Sequence, residues 1–331
     1  MIHPNNDLFT QKQESIVMHV EARLASGISR LRLSLETGIR LDHLGPILER
    51  RPVNGFNQGG DHSRDALETL AALEQWLENA PAEHESRDSR AETPSFNAMS
   101  SIFAIAHQTR SLVAITGPVG FGKSFAAKCY AADHPRTHKK PGAVRIQFNK
   151  TDNKTSAVLA TILAALRGES LGAYRSGNLY QALGANLRPG DFLIPDECQR
   201  LEAAVDIIAS LHDDFGIGIA MVGNPDFSRA IWGNDRTFDA LGSRILRHDF
   251  LNTSGEDVEA FMAWKGTLNG LPVKERVAML KAAVSIGTRP GREGGLRTLN
   301  QVIDYAASAY GKQALTGPIL SHLVKQLKES A

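Results

Sequence analysis

The feature that most constrains the fold of this chain is a glycine-rich octapeptide that follows a short apolar run. The apolar run is Leu112 to Thr116 (LVAIT), and the octapeptide is Gly117 to Ser124 (GPVGFGKS). A helix is predicted to begin at Lys123 and to continue through Tyr130, so the octapeptide joins a strand to a helix. This pattern in this context is typical of a Walker A motif, or P-loop.

Each element of the octapeptide suits the binding of a nucleoside triphosphate. Glycines let backbone N–H groups turn inward around a phosphate without a Cβ in the way, and the positive end of the following helix dipole points at the same phosphates. Lys123 is expected to reach the β- and γ-phosphate oxygens, and the Ser124 hydroxyl is expected to ligate Mg²⁺. A chance match of the pattern is expected in roughly 1% of chains of this length. The predicted ATP-binding residues are Gly117, Pro118, Val119, Gly120, Phe121, Gly122, Lys123 and Ser124.

Further apolar runs alternate with helical patterns after the octapeptide. Alternating strands and helices predict a parallel sheet covered by helices on both faces, which makes the fold class α/β of the P-loop type. From Gly255 onward only helical periodicity remains, and it predicts a smaller all-helical lid domain. The further predicted strands are Val144 to Phe148, Phe192 to Ile194 and Ile217 to Val222.

An acid pair at the end of the third predicted strand completes a hydrolytic site. The segment Asp191 to Glu197 reads DFLIPDE, and Asp196 is expected to hold Mg²⁺ while Glu197 polarises the attacking water. The alternative is an ordinary solvated turn between a strand and a helix. Pro195 lacks the N–H that a central strand normally donates, so the strand could end early, displace Asp196 and slow hydrolysis.

A polar, charged segment from Ala80 to Ser95 predicts a linker between two parts of the chain. We therefore expect a helical unit over residues 1–80, a linker over 81–95, a sheet-containing core over 96–252 and the helical lid over 253–331. Apolar residues make up 42% of the chain, enough for a real core without a disulfide or metal framework.

Cysteine use and hydropathy predict a cytoplasmic protein. Cys129 and Cys198 are far apart in apolar contexts and are expected to be reduced, buried thiols. No stretch approaches the roughly 20 apolar residues of a membrane span, and Met1 to Glu14 lacks the apolar centre of a signal peptide. The net charge of +1 neither requires nor excludes DNA binding.

The N-terminal helical unit contains the spacing of a helix-turn-helix. Ser34 is a small residue, Gly38 follows in the predicted turn, and the apolar Ile39 precedes Leu44 and Ile47 by five and eight positions. Between residues 23 and 51 there are six arginines and three acids, an excess of three positive charges. The residues predicted to contact DNA here are Arg40, His43, Arg50 and Arg51.

A protein-interaction bundle is the alternative for this unit, because any small helical bundle shares the apolar spacing. Pro46 falls inside the predicted recognition helix, where it would bend the helix or shift its start.

Three further segments, taken in order with the two Walker motifs, carry a family resemblance. They are MVGNPD from Met221, LGSRIL from Leu241 and GGLRTLN from Gly294. The set resembles an AAA+ ATPase and, more narrowly, the target-selection ATPases of transposition, the family of the bacteriophage Mu B protein. The resemblance covers nearly the whole chain, since that family also begins with a small helix-turn-helix domain and a linker.

The resemblance implies roles for three side chains. Asn224 would be the sensor that orients the attacking water, Arg244 the finger that reaches the γ-phosphate of a neighbouring subunit, and Arg297 the second sensor on the lid. The alternative is that both arginines make surface salt bridges. Arg247 and Arg236 lie close enough to Arg244 in the sequence for either to be the finger instead.

The resemblance also implies partners. The chain would assemble with ATP into rings or filaments on double-stranded DNA, deliver target DNA to a transposase, and hydrolyse ATP slowly unless DNA or transposase stimulates it. Lys150 and Lys154, after the second predicted strand, would contact the DNA backbone or belong to an ordinary polar loop. A helicase-loader or replication-initiation ATPase, and a nucleotide-switched scaffold with little hydrolysis, are the alternative functions.

Overall fold

Five parallel strands form one sheet at the centre of the computed structural model, in the order β2-β3-β4-β1-β5. The strands are β1 (Leu112–Thr116), β2 (Ala143–Gln147), β3 (Phe192–Asp196), β4 (Gly218–Gly223) and β5 (Leu246–Asp249). The structure describes residues 9–25, 30–51, 64–79, 90–137, 140–167, 178–233, 242–289, 295–310, 316–320 and 322–323.

Helices precede, separate and follow the strands. Before the sheet lie α1 (Gln11–Ala25), α2 (Arg30–Thr37), α3 (Leu41–Leu48), α4 (Arg64–Asn79) and α5 (Pro94–Thr109). Between the strands lie α6 (Lys123–Asp133), α7 (Thr155–Arg167), α8 (Leu179–Asn186), α9 (Asp206–Phe215) and α10 (Pro225–Trp232), and after them come α11 (Gly255–Trp264), α12 (Val273–Gly287) and α13 (Gly295–Tyr310).

Both faces of the sheet are covered, which confirms the predicted α/β class. Every residue of β1, β3 and β4 is buried, as near-continuous apolar strands of a parallel sheet require. On one face Phe103 of α5 packs with Phe192 at the start of β3. On the other face Leu163 of α7 and Ile208 of α9 share a core with Leu193.

Pro195 does not end β3 early. The strand continues through Pro195 to Asp196, with Pro195 opposite Ile146 of β2 and Asp196 opposite Gln147. The pairing of β3 with β4 includes Asp196 opposite Val222. The displacement of Asp196 that the proline could have caused is therefore not observed.

The four N-terminal helices share an apolar core to which each contributes. Val17, Leu33, Ile47 and Leu73 are fully buried in it. Between α2 and α3 the chain turns at Gly38, whose φ of 71° is in the left-handed region that glycine tolerates best. Pro46 lies inside α3, near its C-terminal end.

Arg50 was predicted to contact DNA, and the structure corrects this prediction. Its side chain is 7% exposed and forms ion pairs with Glu14 and Glu21 of α1, at 2.9 and 2.6 Å. A guanidinium that is buried between two carboxylates holds the bundle together and cannot reach a phosphate.

The predicted linker is shorter than expected at its C-terminal end. Arg90 is buried and its guanidinium pairs with Asp133 at 2.8 Å, while the Thr93 hydroxyl accepts the N–H of Phe96 and caps α5. Because Arg90 and Thr93 are buried and α5 begins at Pro94, residues 90–95 are anchored to the core rather than forming a fully solvated segment.

The helices after β5 form a second apolar core. Val258 and Met262 of α11 pack with Met279 of α12 and Leu299 of α13. Asp257 is fully buried, and its carboxylate accepts hydrogen bonds from the backbone N–H groups of Ser95 and Ser254, at 2.8 and 2.9 Å. This carboxylate joins the start of α5 to the start of α11.

Membrane-spanning character and disulfides are both lacking in what the structure describes. Among the described helices, none combines the length and the apolar character that a bilayer span requires. Cys129 and Cys198 are both buried as free thiols.

Candidate nucleotide-binding site

The glycine-rich octapeptide forms a tight loop between the end of β1 at Thr116 and the start of α6 at Lys123. Gly120 and Gly122 have φ angles of 82° and 103°, which place both in the left-handed region. Side chains with a Cβ are strained there, so these two positions require glycine for the loop to curl. The loop thereby directs the N-terminus of α6 into the space above the sheet.

Lys123 lies across the loop that precedes it. Its ammonium donates hydrogen bonds to the carbonyl oxygens of Gly117 and Pro118, at 2.7 and 2.8 Å. The pKa of Lys123 is lowered to about 8, mainly by burial; the charges of Asp196 and Glu197 act in the opposite direction, and the charge of Arg297 adds to the lowering. A phosphate group in the loop would replace the two carbonyls with stronger, charged acceptors.

Ser124 and Asp196 face each other at the junction of α6 and β3. The Ser124 hydroxyl donates to Asp196 Oδ1 at 3.2 Å, and the backbone N–H of Glu197 donates to the same oxygen at 2.9 Å. A hydroxyl and a carboxylate are hard oxygen donors of the kind that Mg²⁺ takes in nucleotide sites, where water and phosphate supply the remaining ligands. The residues present therefore fit the predicted metal.

Glu197 has a strained backbone with φ of 66°. Its carboxylate accepts from Gln199 Nε2 at 2.7 Å and pairs with Arg200 at 3.2 Å. Gln199 Oε1 in turn accepts the backbone N–H of Asn224 at 3.2 Å, so one glutamine side chain connects the ends of β3 and β4. Non-glycine residues in this region cost about 1–3 kcal/mol and cluster at functional sites.

Asn224 lies at the end of β4 and begins α10. Its carbonyl Oδ1 accepts the N–H groups of Asp226 and Phe227, which makes it the N-cap of α10, and its Nδ2 donates to the Asp226 carboxylate at 3.1 Å. The cap fixes the orientation of the amide beside the acid pair.

The helical lid touches the P-loop through the start of α13. Gly295 has φ of 85°, and a Cβ at this position would lie 3.1 Å from the carbonyl oxygen of Gly120. The backbone N–H of Arg297 donates to the same carbonyl at 3.3 Å. The close approach brings the Arg297 side chain to the wall of the cavity above the P-loop.

A cavity of about 580 Å³ lies between the P-loop, the ends of β3 and β4, and the lid. This volume is in the range of sites for small ligands and cofactors. The polar wall brings together the predicted residues Gly120, Gly122, Lys123, Ser124, Asp196, Glu197, Asn224 and Arg297.

The opposite wall of the cavity is apolar, and sequence reasoning missed it. Its side chains come from α5, α6 and the lid, and they are Phe96, Met99, Phe125, Phe261, Trp264 and Leu296. These residues lie in segments far apart in the sequence, where each is indistinguishable from an ordinary core residue. A flat heterocyclic base suits such a wall, and the triphosphate suits the polar end.

Arg244 is not part of this cavity. Its side chain is 47% exposed and pairs with Asp213 of α9 at 2.5 Å. Arg247 is also outside, with its guanidinium 4.8 Å from the ring centre of Trp232, and Arg236 lies outside the described residues. An arginine finger at position 244 could therefore act only on the site of another copy.

The remaining residues predicted to contact DNA lie on the surface in two places. Lys150 and Lys154 are exposed in the turn between β2 and α7, which the buried Asp152 organises by accepting the N–H of Asn149 at 2.8 Å. Arg40 and Arg51 are exposed, but each pairs with an acid two residues away in the sequence, Asp42 and Glu49 respectively, and His43 is half-buried.

The parallel sheet, the P-loop and the acid pair together define the P-loop nucleoside-triphosphatase class. Within that class, residues 106–231 match the family model described as the AAA domain. A comparison with curated proteins gave no match.

Several solved structures are similar to this chain. ORC2 of Aeropyrum pernix, in ADPNP and ADP complexes, is 14% identical with a TM-score of 0.50 over 70% of this chain and 66% of that chain, slightly less than two thirds of its length. Drosophila ORC bound to DNA is 14% identical with a TM-score of 0.46, over 75% of this chain and 67% of that chain. RuvB of Thermotoga maritima, a Holliday junction branch migration motor, is 16% identical with a TM-score of 0.40, over 70% and 68%. At these identities the likeness concerns the fold alone.

Proposed function

We propose that this chain binds ATP with Mg²⁺ in the cavity between sheet and lid, and hydrolyses it. The observation that carries the proposal is that the wall of one cavity collects Lys123, the Ser124–Asp196 pair and Glu197 from separate elements. Loop, cation, metal ligands and base are the parts that phosphoryl transfer to water needs.

Each of these side chains has a distinct task. Lys123 would leave the carbonyls of Gly117 and Pro118 and bind the β- and γ-phosphates. Ser124 and Asp196 would hold Mg²⁺, which when bound neutralises charge on the phosphates. Glu197 would orient the attacking water and accept its proton, and Arg297 would reach the phosphates from the lid.

Assembly would follow from the position of Arg244. The side chain is exposed and does not line the cavity of its own chain, so it would complete a site only on a second copy. A cation beside the γ-phosphate strengthens the contact between two copies only while ATP is bound, so ATP would hold the copies together. To make this contact, Arg244 would first have to break its ion pair with Asp213.

The finer proposal is that the assembly forms on double-stranded DNA and delivers target DNA to a transposase. It is supported by the resemblance of the sequence motifs to the target-selection ATPases and by the exposed lysines of the β2–α7 turn. Two exposed cations on one turn suit contact with phosphates without sequence preference.

Two experiments test the proposal on the purified chain. Steady-state ATP turnover is measured with and without duplex DNA, and electron microscopy compares ATP with ADP. We expect duplex DNA to raise ATP turnover. We also expect rings or filaments to form on DNA with ATP but not with ADP. The double substitution Lys150→Ala and Lys154→Ala should reduce DNA-stimulated turnover, whereas Lys274→Ala with Lys281→Ala, two exposed lysines of α12, should not.

The alternatives give different results in the same experiments. A nucleotide-switched scaffold would assemble with ATP but show negligible turnover under every condition. A helicase loader would bind a replicative helicase, and its turnover would respond to that partner rather than to a transposase. Turnover that ignores duplex DNA, with no assembly on it, contradicts the DNA part of the proposal and leaves nucleotide binding intact.

A further inference from the structure

Asp196, the acidic ligand of the proposed metal site, already has a cationic partner in its own chain. Arg145 of β2 donates from Nε and from Nη2 to Asp196 Oδ2, at 3.1 and 2.6 Å. The Asp196 side chain is 2% exposed and the Arg145 side chain 21%, so water screens this pair weakly. Arg145 Nη2 also donates to Gln147 Oε1 at 3.2 Å, which holds the guanidinium in place.

The two oxygens of Asp196 have different partners. Oδ1 accepts from the Ser124 hydroxyl and from the backbone N–H of Glu197, on the side of the cavity. Oδ2 accepts from Arg145, which lies behind Asp196 and outside the cavity wall formed by the described residues. The orientation of Oδ1 is therefore fixed by Ser124 and Glu197 even without the arginine.

We propose that Arg145 is a positioning residue that weakens Mg²⁺ binding by neutralising Asp196 from behind. The inference rests on the proposed function of the cavity. Because the backbone of Glu197 already orients the carboxylate, the main contribution of Arg145 to the metal site is its charge. A cation beside the acidic ligand repels a divalent ion, and the repulsion is strong where water is excluded.

This arrangement would lower the Mg²⁺ affinity of the ATP-bound site. With its charge neutralised, Asp196 attracts free Mg²⁺ poorly, and the metal would enter mainly together with the triphosphate, whose oxygens supply the missing negative charge. Since a single carboxylate holds Mg²⁺ weakly with or without Arg145, the charge of Arg145 would act mainly on the ATP-bound site, where it limits how much Mg²⁺ tightens the binding of ATP.

The test measures the coupling between ATP and Mg²⁺, rather than turnover. The dissociation constant of ATP is determined by titration calorimetry without Mg²⁺ and with saturating Mg²⁺, and the ratio of the two constants is the coupling. For Arg145→Gln the ratio should rise roughly tenfold, since a nearby unit charge in a partly buried site is worth at least about 1.4 kcal/mol. Arg145→Lys keeps the charge and should restore most of the wild-type ratio.

A matched control lies at the other end of β3, the strand that ends at Asp196. Arg136 pairs with the fully buried Asp191, just before β3, at 3.0 Å. Arg136→Gln removes an arginine–carboxylate pair at Asp191, just before β3 and at the end away from Asp196, so it reports general damage to this strand. The ratio for Arg136→Gln should equal that of the wild type.

The outcomes separate this inference from the proposed function. An unchanged or smaller ratio in Arg145→Gln, with ATP still bound, overturns the role of Arg145 and leaves the nucleotide site standing. A rise of the same size in Arg136→Gln overturns it as well. Wild-type protein that binds no ATP refutes the proposed function itself. If Arg145→Gln does not fold, Arg145→Lys and Arg145→Met replace it in the test. The ratio should then stay near the wild-type value in Arg145→Lys, which keeps the charge, and rise in Arg145→Met, which loses it.

Discussion

The sheet-containing core and the N-terminal helical bundle both hold arginines paired with mostly buried carboxylates, but the pairs face different surroundings. In the core, Asp196 binds Arg145 with one oxygen and turns the other toward Ser124 and the cavity. In the bundle, Arg50 is enclosed by Glu14 and Glu21. The same residue types serve a candidate site in one region and packing in the other.

The difference shows what makes a charged cluster chemically useful. In the core the strand ends converge at one edge of the sheet. A polar side chain there can pair with a neighbour inside the protein and still present an atom to the cavity. In the bundle each described basic residue of the predicted DNA-contacting set except His43 pairs with an acid of the same bundle. Substitutions in the two regions should therefore have separate effects.

The largest expected effect is on turnover. Glu197→Gln keeps the size and hydrogen bonding of the side chain but removes the base, so the rate of ATP hydrolysis should fall by roughly 10²–10⁴-fold while the dissociation constant of ATP stays the same. Turnover and calorimetric titration measured on one preparation check both parts. Wild-type turnover in this variant would remove Glu197 from the mechanism.

Removing a buried charge in the bundle should lower the stability of the bundle and leave the affinity for ATP unchanged. Arg50→Ala leaves two mostly buried carboxylates without their cation and should destabilise the bundle by about 3–5 kcal/mol. Hydrogen exchange of α1 to α4 measures this loss, and ATP affinity should not change. The control is Arg51→Ala, an exposed arginine whose loss should cost less than about 1 kcal/mol. Equal effects of the two substitutions would contradict the structural role of Arg50.

The contact between the lid and the P-loop should be sensitive to one methyl group. Gly295→Ala places a Cβ about 3.1 Å from the Gly120 carbonyl, where the backbone cannot yield easily, and should weaken ATP binding roughly tenfold through displacement of Arg297. Gly270→Ala is the matched control, since Gly270 also has a positive φ, of 73°, but has open space around it. ATP binding unaffected by Gly295→Ala would show that the lid contact is dispensable.

The smallest expected effect is the pH dependence of the Asp257 junction. Burial alone would raise the pKa of Asp257, but hydrogen bonds from Ser95 and Ser254 outweigh it and hold the pKa below its ordinary value. A lowered pKa in the folded state stabilises the protein above the pKa of the unfolded state, near 4, and this stabilisation is lost as the pH falls through the folded pKa.

Asp257→Asn should therefore cost about 1 kcal/mol near neutral pH and less in acid. Chemical denaturation at pH 7 and pH 3 measures the difference, with the exposed Asp304→Asn as the control. A cost that is equal at both pH values would contradict the role assigned to the carboxylate.

The sequence predicted the parts of the fold that depend on local pattern. Apolar strands followed by glycine, lysine and serine can form little other than a P-loop, and the acid pair after β3 lies where the parallel strand ends must meet. Pro195 alone indicates an early end of β3, but the strand continues through it because β2 and β4 hold Asp196 in register on both sides.

Other features depend on contacts between distant segments and could not be predicted. The apolar wall is made of residues such as Phe96 and Trp264, separated by most of the sheet-containing core. Arg50 carried the same local charge signal as Arg51, and only the packing of α1 against α3 shows which of them is buried. The partner of Asp196, Arg145, is likewise 51 residues away in the sequence.

The central claim is that the cavity above the P-loop binds ATP through Lys123, and calorimetric titration of ATP in the presence of Mg²⁺ tests it most directly. The account predicts saturable binding with one ATP per chain, weakened at least about 100-fold in Lys123→Ala, a loss of about 2.7 kcal/mol. Binding of equal strength in both proteins, or the absence of binding in the wild type, would contradict it.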